Sequence, residues 1–205
     1  MAYEKKNIRA VIEEINSRKI YLPAIQRKYV WDDDQITRLM DSIMLGYPIG
    51  TFLFWKVRKS IINKKEYSMY EFIKDFHERD VYKNPSAPQP FPIGSDEETI
   101  WAVLDGQQRL TSLYIALQGS MSRKLPNKRW KNDDAFPIKE LYLDLHSQRT
   151  DEEDISYEFK FLTQEEAKKQ KDDKLWYLVK DILKYSQDEL VTDLIIPNGW
   201  STDKV

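Results

Sequence analysis

The residues with the most chemical content lie in one stretch, Trp101-Ala-Val-Leu-Asp-Gly-Gln-Gln-Arg-Leu-Thr-Ser-Leu-Tyr-Ile-Ala-Leu117. An apolar run ends in Asp105-Gly106, and Gln107, Gln108 and Arg109 then open an amphipathic helix. A strand that runs into a helix gathers unpaired N–H groups and the positive end of the helix dipole at the junction, a natural seat for a phosphate. Leu110, Leu113, Tyr114 and Leu117 carry the i, i+3, i+4, i+7 stripe of a helix that buries one face. Counted back at about 100° per residue, Gly106 falls on the buried side, Gln108 opposite and Arg109 on a flank. A glycine there admits a close approach of backbone or ligand, and Arg109 can fork its guanidinium onto a phosphate or carboxylate. The same residues also suit a helix cap, with Asp105 at the N-cap and Gln108 at the capping-box position. Capping leaves Gln107 unexplained and gives Arg109 no task beyond solubility, so a ligand site and a cap both stay open at this point.

A second polar pair, Gln26-Arg27, sits in an extended segment followed by Tyr29-Val-Trp31 and a helix start. Read alone, it is equally a surface arginine whose stem packs on Trp31. Arg123, Lys124, Lys128, Arg129 and Trp130 form the one basic cluster that contains an aromatic, suited to a nucleic-acid backbone with stacking on the indole, or simply to a solvated loop. Asp32–Asp34 and Asp151–Asp154 supply carboxylates for a metal-dependent nuclease, but such runs are more often caps or solvated faces. The two histidines, His77 and His146, show no metal-ligand or triad spacing.

These groups must be positioned by a chain of 205 residues, enough for one domain or one plus an appendage. Hydrophobic residues make up 41% and include six tryptophans, sufficient for a packed core. The formal net charge of −2 removes any global basic field, so a nucleic-acid contact needs a local patch. The absence of cysteine excludes disulfides, thiolate nucleophiles and Cys-based zinc sites. No apolar run reaches membrane-spanning length and the N-terminus does not read as a signal peptide, which makes the cytoplasm the expected compartment.

Ile8, Val11, Ile12 and Ile15 predict an opening helix. Ile20–Tyr29 reads as extended, because Pro23 disfavours helix there. One of Asp32–Asp34 should cap a helix whose core face is Ile36, Leu39, Met40 and Ile43 and whose stop is Gly46. Tyr47-Pro-Ile-Gly50 is a turn, and Thr51–Val57 reads as a buried strand. An excursion over 60–98 contains a short helix signalled by Tyr70, Ile73 and Phe76, then a proline-rich surface loop at 84–92. The strand at Ile100–Leu104 and the Gly106 helix follow, with Gly119 as the helix stop. Leu141–Leu145 and Tyr157–Phe161 alternate as half-exposed strands. Thr163 and Glu166 make a capping box, and Leu175, Leu178, Val179, Ile182 and Leu183 predict a last helix.

Leu22-Pro-Ala-Ile-Gln-Arg-Lys-Tyr-Val-Trp31, then Gly46-Tyr-Pro-Ile-Gly50, then Leu104-Asp-Gly-Gln-Gln-Arg-Leu-Thr-Ser-Leu113, taken together and in this order, resemble the GmrSD-type N-terminal domain family of modification-dependent restriction and phage-defence systems. The resemblance runs over most of the chain. It implies an α/β fold with a ParB/sulfiredoxin-like core, a small mixed sheet flanked by helices, with further helices added, as a single domain over 1–205. It implies binding and hydrolysis of nucleoside triphosphates, with Asp105, Gln108 and Arg109 catalytic and Gln26, Arg27, Gly106, Gln107 and Arg109 holding the nucleotide. Asp105 would orient a magnesium ion or the attacking water. The implied partners are modified or foreign DNA and a separate nuclease domain or subunit, which makes this chain either a fragment of a longer protein or a stand-alone sensor. A DNA-binding module of the same fold without hydrolysis, and a direct metal-dependent nuclease, are the competing readings. The nucleotide reading requires that the two polar segments, far apart in sequence, fold against each other.

Overall fold

A computed structural model of the chain describes residues 4–24, 28–62, 68–80, 99–147, 156–169 and 174–185. Gln26, Arg27, the proline-rich stretch at 84–92 and Asp151–Asp154 lie outside the described residues.

The principal sheet has four strands in the order β2-β5-β1-β3. β1 (Ile20–Pro23) runs parallel to β5 (Thr99–Asp105), with Ile20 opposite Trp101. β2 (Leu53–Arg58) is antiparallel to β5, and its Leu53 lies opposite Asp105. β3 (Met69–Tyr70) is antiparallel to β1. This register dictates where the chain leaves the sheet. β1 and β5 are parallel, so their C-terminal ends reach the same edge, and antiparallel β2 begins there. The segments after Pro23, before Leu53 and after Asp105 therefore converge, at the kind of strand-end crevice where α/β sheets bind ligands.

β4 (Asp75–His77) pairs in parallel with β6 (Ser120–Ser122), and β7 (Glu140–Asp144) lies between β8 (Phe159–Leu162) and β9 (Trp176–Leu178) as an antiparallel sheet. Two short helices, α3 (Lys59–Ile62) and α5 (Gln164–Lys168), fill in between elements. The longer helices carry their start signals in the sequence. Asn7 accepts from the Ala10 N–H at 2.8 Å and opens α1 (Ile8–Asn16). Asp32 and Gln35 exchange hydrogen bonds in a full capping box at the start of α2 (Asp33–Met44). Gly46, at φ +73°, follows the end of α2, and Thr163 with Glu166 boxes α5 as expected.

α4 (Gln107–Gln118) is the centre of the molecule. Every residue from Leu110 to Leu117 is buried, so it is enclosed on all sides instead of presenting the one apolar face that its spacing predicts. Leu113 and Ile115, 2% and 0% exposed, each contribute about 1.5–3 kcal/mol of burial free energy. The enclosed Ser112 hydroxyl is satisfied by the Tyr29 hydroxyl at 2.8 Å.

Four expectations are corrected. Tyr70, Ile73 and Phe76 do not share a helix: Met69–Tyr70 joins the edge of β1 and Asp75–His77 pairs with β6. The last helix is a strand, β9, followed by a 3-10 helix over Val179–Lys184. Arg9 holds that turn by donating to the carbonyls of Ile182, Leu183 and Tyr185. β2 is an edge strand in which only Val57 is buried. β7 is central in its sheet and mostly buried, against the half-exposed strand expected.

Candidate functional site

At the edge where the three segments converge, β5 passes into α4 through Gly106, which adopts φ +84° and is itself the N-cap. Asp105 is not the cap: it remains the last residue of the strand, its side chain is 72% exposed, and no side chain caps α4. The turn must be glycine for two reasons. L side chains rarely adopt that φ, and a Cβ there would collide with Cδ1 of Phe52 and lie 2.9 Å from its Cε1. The N-terminus of a twelve-residue buried helix thus meets the site with backbone N–H groups and, among the described residues, no side-chain cap on them.

Two of the three polar residues that follow, Gln108 and Arg109, fasten the neighbouring segments to this turn. Gln108 uses both ends of its amide on the first segment: Oε1 accepts from the Val30 N–H at 3.0 Å, and Nε2 donates to the Lys28 carbonyl at 3.1 Å. Arg109 turns to the other segment. Its Nη1 donates to the Ile49 carbonyl and its Nη2 to the Thr51 carbonyl at 3.0 Å, while the guanidinium lies 5.0 Å from the centre of the Phe52 ring. Asp105 is 3.6 Å from Nη2. Gly50, at φ +83°, is needed where Arg109 passes, because a Cβ would strike Nη1. The turn at 47–50 is therefore a seat for this arginine, a role that its sequence did not announce.

The structure brings Asp105, Gly106, Gln107, Gln108 and Arg109 together with the 28–30 and 49–52 segments. Sequence reasoning missed Tyr29, Gly50 and Phe52. Tyr29 ties the first segment to α4 through Ser112, and burial pushes its phenol well above the ordinary tyrosine range. Gly50 stood in the sequence only as part of a turn and of the stretch Gly46–Gly50 that carries the resemblance, with no contact to Arg109 implied, and Phe52 had no signal.

The basic cluster separates into two parts. Arg123 faces inward: it donates to Asp33 at 2.8 Å and to the Trp31 carbonyl at 2.6 Å, and lies 5.0 Å from the Phe76 ring. Burial raises the Asp33 carboxyl above its usual range although Arg123 beside it pulls the other way. Lys124 donates to the Leu125 carbonyl, and Glu78 accepts from its N–H. Lys128, Arg129, Trp130 and Lys131 remain exposed.

Asp32 caps α2 and Asp33 pairs with Arg123, so this carboxylate run has structural work. Among the described residues no group of three or more His, Asp or Glu side chains is placed to hold a metal ion. Asp105 offers one carboxylate, which suits magnesium only in company with phosphate oxygens, since that ion commonly takes one or two protein carboxylates and keeps several waters. No described helix is long and apolar enough to cross a membrane.

A family model of the GmrSD restriction endonuclease N-terminal domain matches residues 8–202. An uncharacterized protein of Methanocaldococcus jannaschii is 29% identical over 117 residues, which cover 57% of this chain and 18% of that protein. The aligned stretch is therefore less than a fifth of that relative's length. Because the family match extends through both polar segments and nearly the whole sequence, the chain belongs to the GmrSD restriction endonuclease N-terminal domain family.

Proposed function

We propose that this domain binds and hydrolyses nucleoside triphosphates at the N-terminus of α4, and that it is the nucleotide-dependent regulatory part of a cytoplasmic, modification-dependent DNA restriction system. One observation carries the reading: three chain segments converge on a buried helix whose N-terminus has no side-chain cap, and two of its first residues fasten the flanking segments in place. The mixed sheet beneath is compatible with a ParB/sulfiredoxin-like core.

In this reading the amides that follow Gly106 take phosphate oxygens. The guanidinium of Arg109, with donors beyond the two spent on carbonyls, and Arg27 from the first segment offset charge that develops on the leaving diphosphate. Water attacks the γ-phosphorus, the bond to the β–γ bridging oxygen breaks, and the products are nucleoside diphosphate and inorganic phosphate. Gln107 or Gln108 would position the attacking water, the Gln108 amide being itself held by Lys28 and Val30. Asp105 would hold magnesium jointly with the phosphates, and the ion would supply charge neutralisation. Gln26 and Arg27 precede in sequence the Lys28–Val30 stretch that Gln108 anchors. DNA cleavage is assigned to a separate nuclease domain or subunit.

The test is phosphate release and thermal shift with each of the four ribonucleoside triphosphates and magnesium. At least one should raise the melting temperature and be turned over. Gln107→Ala should cut turnover at least tenfold in a protein that still folds. Gln108→Glu should weaken nucleotide binding, since its carboxylate cannot donate to the Lys28 carbonyl and places negative charge beside the phosphates. Binding without turnover would favour the non-hydrolysing DNA-binding reading. Absence of both binding and turnover with every nucleotide refutes the proposal.

A further inference from the structure

We infer that the 124–135 loop is a contact for single-stranded or unstacked DNA, with Trp130 as a stacking platform for a nucleobase and Lys128, Arg129 and Lys131 as phosphate ligands. The inference rests on the reading of the protein as DNA-acting, and it assigns a surface outside the α4 motif.

Trp130 is half exposed, at 51%, although tryptophan is among the side chains that gain most from burial. It is not loose. Its ring lies 5.4 Å from that of Phe136, which is itself buried and stacks on His77 at 5.1 Å. Arg79 sits 4.8 Å from the Phe136 ring, donates to the Trp130 carbonyl at 3.1 Å and pairs with Asp133 at 2.7 Å. The loop backbone is closed by bonds from the Leu125 N–H to the Ala135 carbonyl and from the Asn132 N–H to the Arg129 carbonyl, at 2.7 and 3.0 Å. Asn127 takes a left-handed turn at φ +60°, and the Asn132 side chain caps the 3-10 helix Asp133–Ala135. An indole is thus held from one side by a fixed aromatic stack and left open over half its surface.

The charges around it divide by role. Arg79 and Arg123 are engaged with aspartates and main-chain carbonyls. Lys128, Arg129 and Lys131 flank Trp130 in sequence, are exposed, and have no ion pair among the described residues. Lys124, Lys128, Arg129 and Lys131 stand in this loop against Asp133, which pairs with Arg79, and Asp134, a local excess of positive charge on a chain of net charge −2. That pairing of a flat π surface with point cations matches alternating bases and phosphates. Duplex DNA presents its phosphates but hides its base faces, so the indole selects strands whose bases are unstacked.

The experiment is an anisotropy titration of the full chain with a labelled oligonucleotide and with its duplex, without nucleotide and over a salt series. Trp130→Ala should weaken single-strand binding by roughly tenfold, the scale of one base–aromatic stack, and change duplex binding less than about twofold. Trp130→Phe should retain most of the single-strand affinity, and it keeps an aromatic against Phe136 should the alanine variant unfold. Neutralising Lys128, Arg129 and Lys131 together to glutamine should reduce the slope of log affinity against log salt by about 2, at roughly 0.7 per single-strand phosphate contact. Equal losses for both DNA forms in a folded Trp130→Ala protein, or no loss in either, overturn the inference. So does competition by poly-glutamate as effective as that by oligonucleotide, which would mark the loop as a surface for acidic proteins. A wild-type chain that binds no DNA overturns it and the DNA-acting reading together, while leaving nucleotide turnover as a separate measurement.

Discussion

Replacing Arg109 separates a structural clamp from a purely catalytic arginine. Its guanidinium donates to two main-chain carbonyls, at Ile49 and Thr51, and its side chain is 23% exposed. Hydrogen bonds from charged donors contribute about 1.5–3 kcal/mol each when well shielded. Here Thr51 is exposed and water can replace the donor, so about 1 kcal/mol per bond is the appropriate figure. The Phe52 contact adds about 0.5–1 kcal/mol. The ion pair with exposed Asp105 adds little, about 0–0.5 kcal/mol. Arg109→Ala should therefore cost about 3 kcal/mol and lower the melting temperature by about 6–12 °C for a chain of this size. Arg109→Lys keeps the charge but has no fork, so it serves one carbonyl and should lose about half as much. Hydrogen exchange localises the effect: amides at 47–52 should exchange faster in both variants, while those of α1 stay protected. An alanine variant that melts within about 1 °C of the parent, with unchanged exchange at 47–52, would refute the clamp even if its nucleotide turnover were lost.

Gly106→Ala must accept a left-handed φ and displace the Phe52 ring, which together should cost about 2–4 kcal/mol. Gly46→Ala, with a similar φ but no atom within 4 Å, should cost only about 1 kcal/mol, and chemical denaturation compares the two. Glu166 has its carboxyl held below the usual value chiefly by the Thr163 backbone N–H, so its stabilising effect is present above pH 4.5 and lost as pH falls through the lowered folded-state value. The melting temperatures of wild type and Glu166→Gln should accordingly differ at pH 7 and converge at acid pH.

Elements with their own start and stop signals were legible in the sequence: α1, the boxed starts of α2 and α5, and the passage from β5 into α4. The failures share a cause, which is that the deciding partner lies far away in the chain. Leu175–Leu183 fits the helical period, yet Trp176–Leu178 pairs with β7 and Arg9 satisfies the carbonyls of the turn that follows. Tyr70 and Phe76 likewise join strands supplied from elsewhere. At the site, the position of the polar run was readable but its contacts were not. Arg109 and Gln108 bind main-chain groups, and a carbonyl or N–H has no residue type that a sequence pattern can reveal. The cap falls one residue past Asp105, at Gly106, where Phe52 fills the space that any Cβ would need.

Those main-chain partners account for the residue types of the motif more tightly than ligand chemistry does. Segment 28–30 presents one carbonyl and one N–H to position 108, and a side-chain amide supplies one donor and one acceptor, where Glu supplies none of the former and Lys none of the latter. Position 109 faces two carbonyls, and a guanidinium offers two donors in a rigid fork. Glycines at 50 and 106 vacate the volume that Arg109 and Phe52 occupy. Packing and hydrogen bonding thus dictate Gly106, Gln108 and Arg109 before any ligand is considered. Asp105 is different: it neither caps the helix nor fills the core, and its one described ionic neighbour is an arginine already committed to two carbonyls. The framework asks less of this acidic residue, kept 72% exposed beside a helix N-terminus, than of Gly106, Gln108 and Arg109, so it is a position at which chemistry, not architecture, has to supply the reason.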